Sequence, residues 1–408
     1  MIDRQTFVIL GAGQAGQTVA ETLRDSGFVG RIVMLGEDEH RPYQRPPLSK
    51  KFLMNEVTAD RLYFRSQEFY AQNAIELHTA SQVSSIDPSR RQVWTADGDE
   101  WGYDKLVLAT GSAPRRLTRD LGGELEGVHY LRSIGDAESL GRELRGGREL
   151  LIIGGGYIGL EVASVAIKLG LVVTVAEAAP QILQRVAAPE TASFFRMLHS
   201  ANGVSIQEGC ALERLIGDDN GRVCAARFAN GSVKDIDLVL IGIGGAPCTA
   251  IAQAAGLAED RGILVNGHGL TSDSDIYAVG DCSRFPFRDR MVRFESVQNA
   301  VDQAKIVGGS LLGRDVAYVP LPWFWSDQFS TKLQIAGYNE GFTRTVRRVN
   351  PNPNSQSIWY FNADKLVAVD AINDPRSFMI GKRWIEQGRS PTQDHIVDSS
   401  RKLDLFMA

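Results

Sequence analysis

Four apolar residues in a row, Phe7-Val8-Ile9-Leu10, lead into Gly11-Ala12-Gly13-Gln14-Ala15-Gly16 and then into a stretch with Val19, Ala20 and Leu23 on one helical face. A second apolar run, Arg31-Ile32-Val33-Met34-Leu35-Gly36, follows and ends at Glu37. The order predicts strand, glycine turn, helix, strand. The same order returns later: Leu150-Leu151-Ile152-Ile153, then Gly154-Gly155-Gly156-Tyr157-Ile158-Gly159, a helix through Val162, Ala166 and Leu169, and a strand from Leu171 to Ala176 ending at Glu177. Repetition at this separation predicts two copies of one domain type rather than a short solenoid repeat. Between them, Gln92 to Trp101 alternates around Asp97-Gly98 as a small antiparallel hairpin, and Leu238 to Gly244 reads as a buried strand running into a glycine turn. Beyond about Pro320 the texture changes. Short β-rich runs at Lys332–Tyr338, Thr343–Val349, Ser357–Asn362 and Leu366–Asn373, broken by Asn-Pro repeats, predict an antiparallel α+β third domain.

The two glycine turns carry the first chemistry. In G-x-G-x-x-G between a strand and a helix, the first glycine makes a tight turn, the second admits a pyrophosphate to the backbone, and the third lets helix pack on strand. The helix N-terminus then offers unpaired N–H groups and a positive dipole end to the phosphates. Glu37 and Glu177 stand near the ~20-residue offset at which a carboxylate grips a ribose. Two such sites imply two dinucleotides, held by Gly11, Gly13, Ala15 and Gly16 in one copy and by Gly154, Gly156, Tyr157, Ile158 and Gly159 in the other. Glu177, with no arginine beside it, opposes a 2′-phosphate and favours NADH over NADPH. Arg185 is either a surface charge or a contact to the adenosine side of that coenzyme.

With 408 residues, 43% of them hydrophobic and 23% charged, the composition is that of an ordinary globular protein of two or three domains, and three fit the pattern. A formal net charge of −5 favours neither nucleic acid nor membrane as partner. The apolar runs near Met1 fall far short of the ~20 residues a bilayer span needs, and no signal peptide precedes the first strand, so the expected compartment is the cytoplasm. Cys210, Cys224, Cys248 and Cys282 show neither a C-x-x-C pair nor metal-ligand spacing, and no metal site is expected.

Four further stretches, Arg41-Pro42-Tyr43-Gln44-Arg45-Pro46-Pro47-Leu48-Ser49-Lys50, Leu108-Ala109-Thr110-Gly111, Tyr277-Ala278-Val279-Gly280-Asp281 and Pro322-Trp323-Phe324-Trp325-Ser326-Asp327-Gln328, resemble the oxygenase-coupled ferredoxin reductases, in register over essentially the whole chain. The resemblance implies a glutathione-reductase-like α/β fold: two Rossmann-like dinucleotide-binding domains plus a C-terminal α+β domain. Its spans are 1–111 and 241–320 for FAD, 112–240 for NAD, and 321–408 for the third domain. It places FAD on the first copy, with Gly280 and Asp281 at the ribityl chain and pyrophosphate, and with Arg45, Val83, Ala109, Thr110, Gly111, Arg132 and Val297 among the flavin contacts. Ile243 and Gly244 join the nicotinamide side. Asp281 is, from the residues alone, equally a cap for the helix-like stretch containing Val297, Ala300 and Ala304. Lys50 reads as a solvated loop charge, but the resemblance sets it beside the flavin, paired to Glu161, where a cation stabilises the negative charge of the reduced ring. Trp325 is either a core aromatic or, by resemblance, a lid over the flavin.

Relatives in fold keep a redox-active disulphide, or a single reactive cysteine in the loop that here runs Arg41 to Lys50; that loop has no cysteine. Electrons are therefore expected to leave the flavin directly, for a one-electron iron–sulfur protein. The expected activity is that of an NADH-dependent ferredoxin reductase supplying an acidic [2Fe-2S] ferredoxin that serves a Rieske oxygenase or a cytochrome P450. An NADH oxidase-like enzyme and an apoptosis-inducing-factor-like redox sensor are the alternatives. Arg284, Arg288, Arg290 and Arg293, extended by Lys332, form either a docking face for the ferredoxin or an arginine-rich loop that serves solubility.

Overall fold

The computed structural model describes residues 5–352, 354–399 and Leu403. Its contacts gather into two compact units. Unit 1 comprises residues 1–45, 59–113 and 245–320; unit 2 comprises 46–58, 114–244 and 321–408. The short segment 46–58 therefore belongs with the second dinucleotide fold, and so does the C-terminal region.

Unit 1 is built on a parallel five-stranded sheet in the order Ile276–Ala278, Lys105–Leu108, Thr6–Leu10, Arg31–Leu35, Ile75–His78. Phe7, Val8, Ile9 and Leu10 are all buried, as a central parallel strand covered on both faces requires. Helices Gln14–Asp25 and Val297–Leu311 meet over this sheet, and Val19, Leu23, Ala304 and Val307 share its core with Ile9 and Ile32. The predicted hairpin around Gly98 is present as Gln92–Thr95 and Glu100–Gly102, and a third antiparallel strand, Val83–Asp87, joins it.

Unit 2 repeats the parallel sheet in the order Ser205–Glu208, Val172–Glu177, Glu149–Ile153, Leu238–Ile241, Val128–His129. Its other sheet is antiparallel, ordered Trp323–Gln328, Thr331–Gly337, Lys365–Ile372, Gln356–Asn362, Arg344–Val349. The four later strands match the predicted β-rich runs. Strand Trp323–Gln328 and helix Pro375–Glu386 are additions; the strand was hidden because Trp-Phe-Trp shows no apolar-polar alternation. One core joins the two halves of unit 2, with Leu160, Ala188 and Phe195 packed among Leu333, Ile358, Tyr360 and Ile372. This shared core is why the C-terminal sheet clusters with the second dinucleotide fold in one compact unit.

At its centre lies Asp370, with 0% of its surface exposed. Its Oδ2 accepts hydrogen bonds from Thr191 (2.7 Å) and Tyr360, while Oδ1 has no partner among the described residues. Burial, working against both hydrogen bonds, pushes its pKa up to about 7. The folded chain thus keeps a proton that the unfolded chain gives up near the ordinary carboxylate range. The stability this contributes is full below that range and is lost as pH rises through about 7. Asp370→Asn, neutral at every pH, should therefore gain stability over the parent between about pH 4 and about pH 7, at up to ~1.4 kcal/mol per pH unit in urea titrations, and gain no more above that. Parallel stability–pH curves for the two proteins would refute it.

Candidate dinucleotide and electron-transfer sites

In unit 1 the first strand ends at Gly11, whose φ of +114° suits glycine and whose absent Cβ would lie 2.2 Å from Ala109 O. A Cβ on Gly16 would lie 2.0 Å from Gly11 O, so the helix packs directly on the turn. Gly13, by contrast, is the extended N-cap of helix Gln14–Asp25, with no side-chain cap, and a Cβ there would meet nothing within 4 Å. Open ground before uncapped helix N–H groups fits a pyrophosphate. Gly280 closes on the same turn, since a Cβ on it would stand 3.1 Å from Ala15 Cβ. Asp281 follows in a short 3₁₀ turn and accepts from Ser112 Oγ at 2.9 Å. The fold thus brings Gly11–Gly16, Ala109 and Gly280–Asp281 together. Thr110, next in chain, donates its hydroxyl to Cys248 O at 2.7 Å.

Asp281 is not a helix cap. A hairpin, Ser283–Phe287 with Arg290–Val292, separates it from the helix that starts at Val297, and Ser296 caps that helix by accepting from Asn299 N at 3.1 Å. Glu37 is exposed just past strand Arg31–Leu35 and accepts from Gln82 Nε2 at 3.3 Å. Arg45 lies over the Tyr43 ring, 5.1 Å from its centroid, and Val83 opens a strand of the antiparallel hairpin.

Unit 2 repeats the turn. Gly154 has φ +106° and would place a Cβ 2.4 Å from Gly242 O, Gly159 abuts Gly154 O, and Gly156 is again an uncapped, open N-cap. Glu177 is held more firmly than Glu37: its two oxygens accept from Gly155 N and Ala179 N, both at 2.8 Å. The Arg185 guanidinium lies beside the turn at Gly244, 3.4 Å from where a Cβ would stand, which brings Arg185 and Gly244 to one place. Ile158 is exposed, whereas the Tyr157 ring packs on Phe324 at 4.8 Å and its hydroxyl is buried, with a pKa raised by burial and then by Asp370 and Glu161.

Glu161, one turn into the second motif helix, is 4% exposed. Lys50 Nζ stands 2.7 Å from its Oε2, the same oxygen accepts from Ser49 Oγ at 2.5 Å, and Oε1 accepts from Ser326 Oγ at 2.7 Å. Lys50 also donates to Pro46 O at 3.3 Å. It is an ion-pair partner, not a solvated loop charge. Ser49 and Ser326 were missed as Glu161 partners, although both stand in the recognised stretches. Trp325 is only partly buried and lies beside Trp323, ring centroids 5.6 Å apart, so it is no core aromatic. Arg132 also falls in unit 2, where its N–H donates to Asp136 Oδ2 at 3.0 Å.

The arginine group is smaller than the sequence suggests. Arg284 is tied to Asp260, and Arg293 to Glu295 and, at 3.1 Å, to Asp281 O. Arg288 and Arg290 are exposed about the hairpin turn, with Arg290 Nε 3.9 Å from Asp289 Oδ1 and Arg288 over the Phe287 ring. Lys332 is exposed in unit 2. None of the four cysteines is in a disulphide; Cys282 is buried, its thiol directed at Leu108 O and Val279 O and its pKa raised by burial. Among the described residues no cluster suits a metal ion and no helix is long and apolar enough to cross a membrane.

The family model described as pyridine nucleotide-disulphide oxidoreductase matches residues 5–304, and one described as reductase C-terminal matches 323–407. Putidaredoxin reductase of Pseudomonas putida is 41% identical over 397 residues, 96% of this chain and 93% of its own. A ferredoxin–NAD(P)+ reductase of Sphingomonas is 38% identical, with 98% and 97% covered. The covalent putidaredoxin reductase–putidaredoxin crystal structure superposes with a TM-score of 0.95 at 39% identity, covering 99% of this chain and 98% of that one.

The two open glycines separate the two sites experimentally. Gly13→Ala should fold but lose bound flavin, whereas Gly156→Ala should keep its flavin and raise the KM for the nicotinamide at least ~10-fold, about 1.4 kcal/mol of binding. Flavin absorbance and steady-state kinetics on both variants check this; equal effects of the two substitutions on flavin content would contradict the assignment.

Proposed function

The chain belongs to the pyridine nucleotide-disulphide oxidoreductases, and on that premise we propose that it carries electrons from NADH to a [2Fe-2S] ferredoxin: NADH and two oxidised ferredoxins give NAD+, a proton and two reduced ferredoxins. The observation that carries the reading is that one chain holds two complete dinucleotide turns while its cysteines form no disulphide that would receive the electrons. Bound FAD supplies the exchange between a two-electron donor and a one-electron acceptor.

The residues divide the work. The turn at Gly11–Gly16, with Gly280 and Asp281 against it, holds the flavin's pyrophosphate and ribityl chain, and Glu37 takes the adenosine ribose. The turn at Gly154–Gly159 does the same for NADH, with Arg185, Ile243 and Gly244 beside it. Glu177, fixed by two backbone N–H groups, presents a carboxylate to the ribose hydroxyls and repels a 2′-phosphate. Lys50, held by Glu161, is the cation that answers the charge delivered with the hydride, and Trp325 shields that step. Val83, Ala109, Thr110, Gly111, Arg132 and Val297 complete the flavin contacts, and Tyr157 and Ile158 those of NADH. Cysteines kept as thiols support action in the cytoplasm, a reducing compartment.

Coenzyme choice follows from Glu177. NADH should be preferred over NADPH at least ~10-fold in kcat/KM, and Glu177→Gln should narrow the gap. Equal kcat/KM for both coenzymes in the unaltered protein would show that Glu177 does not select.

The acidic ferredoxin meets the pair Arg288 and Arg290. Reversing both to Glu should slow ferredoxin reduction through association, the defect should shrink as salt screens charge, and reduction of the flavin by NADH should stay unchanged. Arg284→Glu is a different experiment, since it breaks the pair with Asp260 and lowers stability. Unchanged ferredoxin kinetics in the double reversal at low ionic strength would place docking elsewhere.

A further inference from the structure

Glu161 ends a longer row of buried polar side chains. Ser326, which donates to Glu161 Oε1, accepts from Gln328 Nε2 at 3.1 Å, and Gln328 Oε1 lies 2.8 Å from His199 Nε2. Ser326, Gln328 and His199 are each 0% exposed. His199 sits near the end of helix Pro189–Ala201, beside the second parallel sheet, while Ser326 and Gln328 alternate on one face of strand Trp323–Gln328. The row lies within unit 2.

It has a direction. The Gln328 carbonyl faces His199, so the imidazole carries its hydrogen on Nε2 and donates it. Every hydrogen then points the same way: His199 to Gln328, Gln328 to Ser326, Ser326 to Glu161, where Lys50 and Ser49 donate from the other side. Burial lowers the pKa of His199 despite the hydrogen bond to Gln328, which keeps the ring neutral and the direction fixed. His199 Nδ1 has no partner among the described residues, and its ring packs on Phe329 at 5.0 Å. Three buried polar side chains cost more than an apolar contact of the same volume unless each is satisfied. Their mutual hydrogen bonds, which among the described residues leave only His199 Nδ1 unmet, converge on one carboxylate oxygen.

We infer that Gln328 and His199 are positioning residues for hydride transfer: through Ser326 they claim Glu161 Oε1 and thereby leave Oε2 oriented to hold Lys50. The inference rests on the reading of Lys50 and Glu161 as part of the hydride-transfer apparatus. Gln328 sets the polarity, because its amide alone both accepts from the imidazole and donates to the hydroxyl. His199 sets the amide's orientation.

The test is anaerobic stopped-flow reduction of the full-length, FAD-loaded protein by NADH, with the flavin midpoint potential and thermal unfolding measured on each variant. His199→Phe removes the terminal donor and keeps a ring. Gln328→Glu keeps the shape but leaves Ser326 without a donor. Ser326→Ala, the smallest change, secures the result if either of these fails to fold. All three should slow hydride transfer about 10-fold at saturating NADH, with the coenzyme's Kd unchanged, and should move the midpoint potential in the direction of Lys50→Met. His199→Gln, which retains a donor, should recover most of the rate. In a Lys50→Met background His199→Phe should cost less than about twofold more, since both act through one group. A further 10-fold loss there, or a parental rate and potential in all three variants while Lys50→Met is slow, would overturn the inference and leave the role of Lys50 standing. A parental rate and potential in Lys50→Met itself would overturn that role, and the inference with it.

Discussion

A carboxylate taken almost wholly out of water must find compensating charge and donors, and in unit 2 Glu161 finds them on two stretches of chain far from its own helix. Ser49 and Lys50 come from the segment 46–58, Glu161 from the helix after the second glycine turn, and Ser326 from the first strand of the C-terminal sheet. Removing one partner from such a buried group costs roughly 3–5 kcal/mol. That single requirement explains much of the unit's organisation. It holds 46–58 to the second dinucleotide fold rather than to the fold that precedes it in sequence, and it ties the C-terminal sheet to the same helix.

The two glycine turns are close copies in backbone, yet their carboxylates are treated differently. Glu37 stands in solvent with one amide contact, and Glu177 is fixed by two backbone N–H groups. A carboxylate held by its own turn presents a fixed face to a ligand, whereas an exposed one is free to reorient.

How far the sequence reveals this depends on whether the signal is local. The strand–glycine–helix units are legible because an apolar run, a turn that only glycine fits, and a helical face all lie within a few residues. The open ground before Gly13 and Gly156 follows from the same spacing. The pairing of Lys50 with Glu161 has no local signature and follows only from the resemblance; its serine partners follow from neither. Asp281 was open to being read as a helix cap because Ser283–Val292 passes for an arginine-rich loop, when Phe285, Phe287 and Val292 are in fact the buried face of a hairpin. Among the arginines here, Arg284 meets an acid distant in sequence, Asp260; Arg290 and Arg293 meet their near neighbours Asp289 and Glu295. A change in texture marks the C-terminal domain, but texture does not show that Tyr360 and Asp370 share a core with Ala188 and Thr191.

Unit 1 is assembled from three pieces of chain, and the last of them supplies the strand Ile276–Ala278 and the helix Val297–Leu311 that packs on Val19 and Leu23. On the ribosome, then, the first glycine turn emerges early but waits for nearly three-quarters of the polypeptide before its covering helix exists. The second turn is delivered meanwhile, and it too must wait, for a sheet synthesised last. Neither half has a head start. Both parallel sheets are complete in the emerging chain only at Ala278, ahead of the helix Val297–Leu311 and the C-terminal sheet that share their cores, so a late truncation removes covering elements from both.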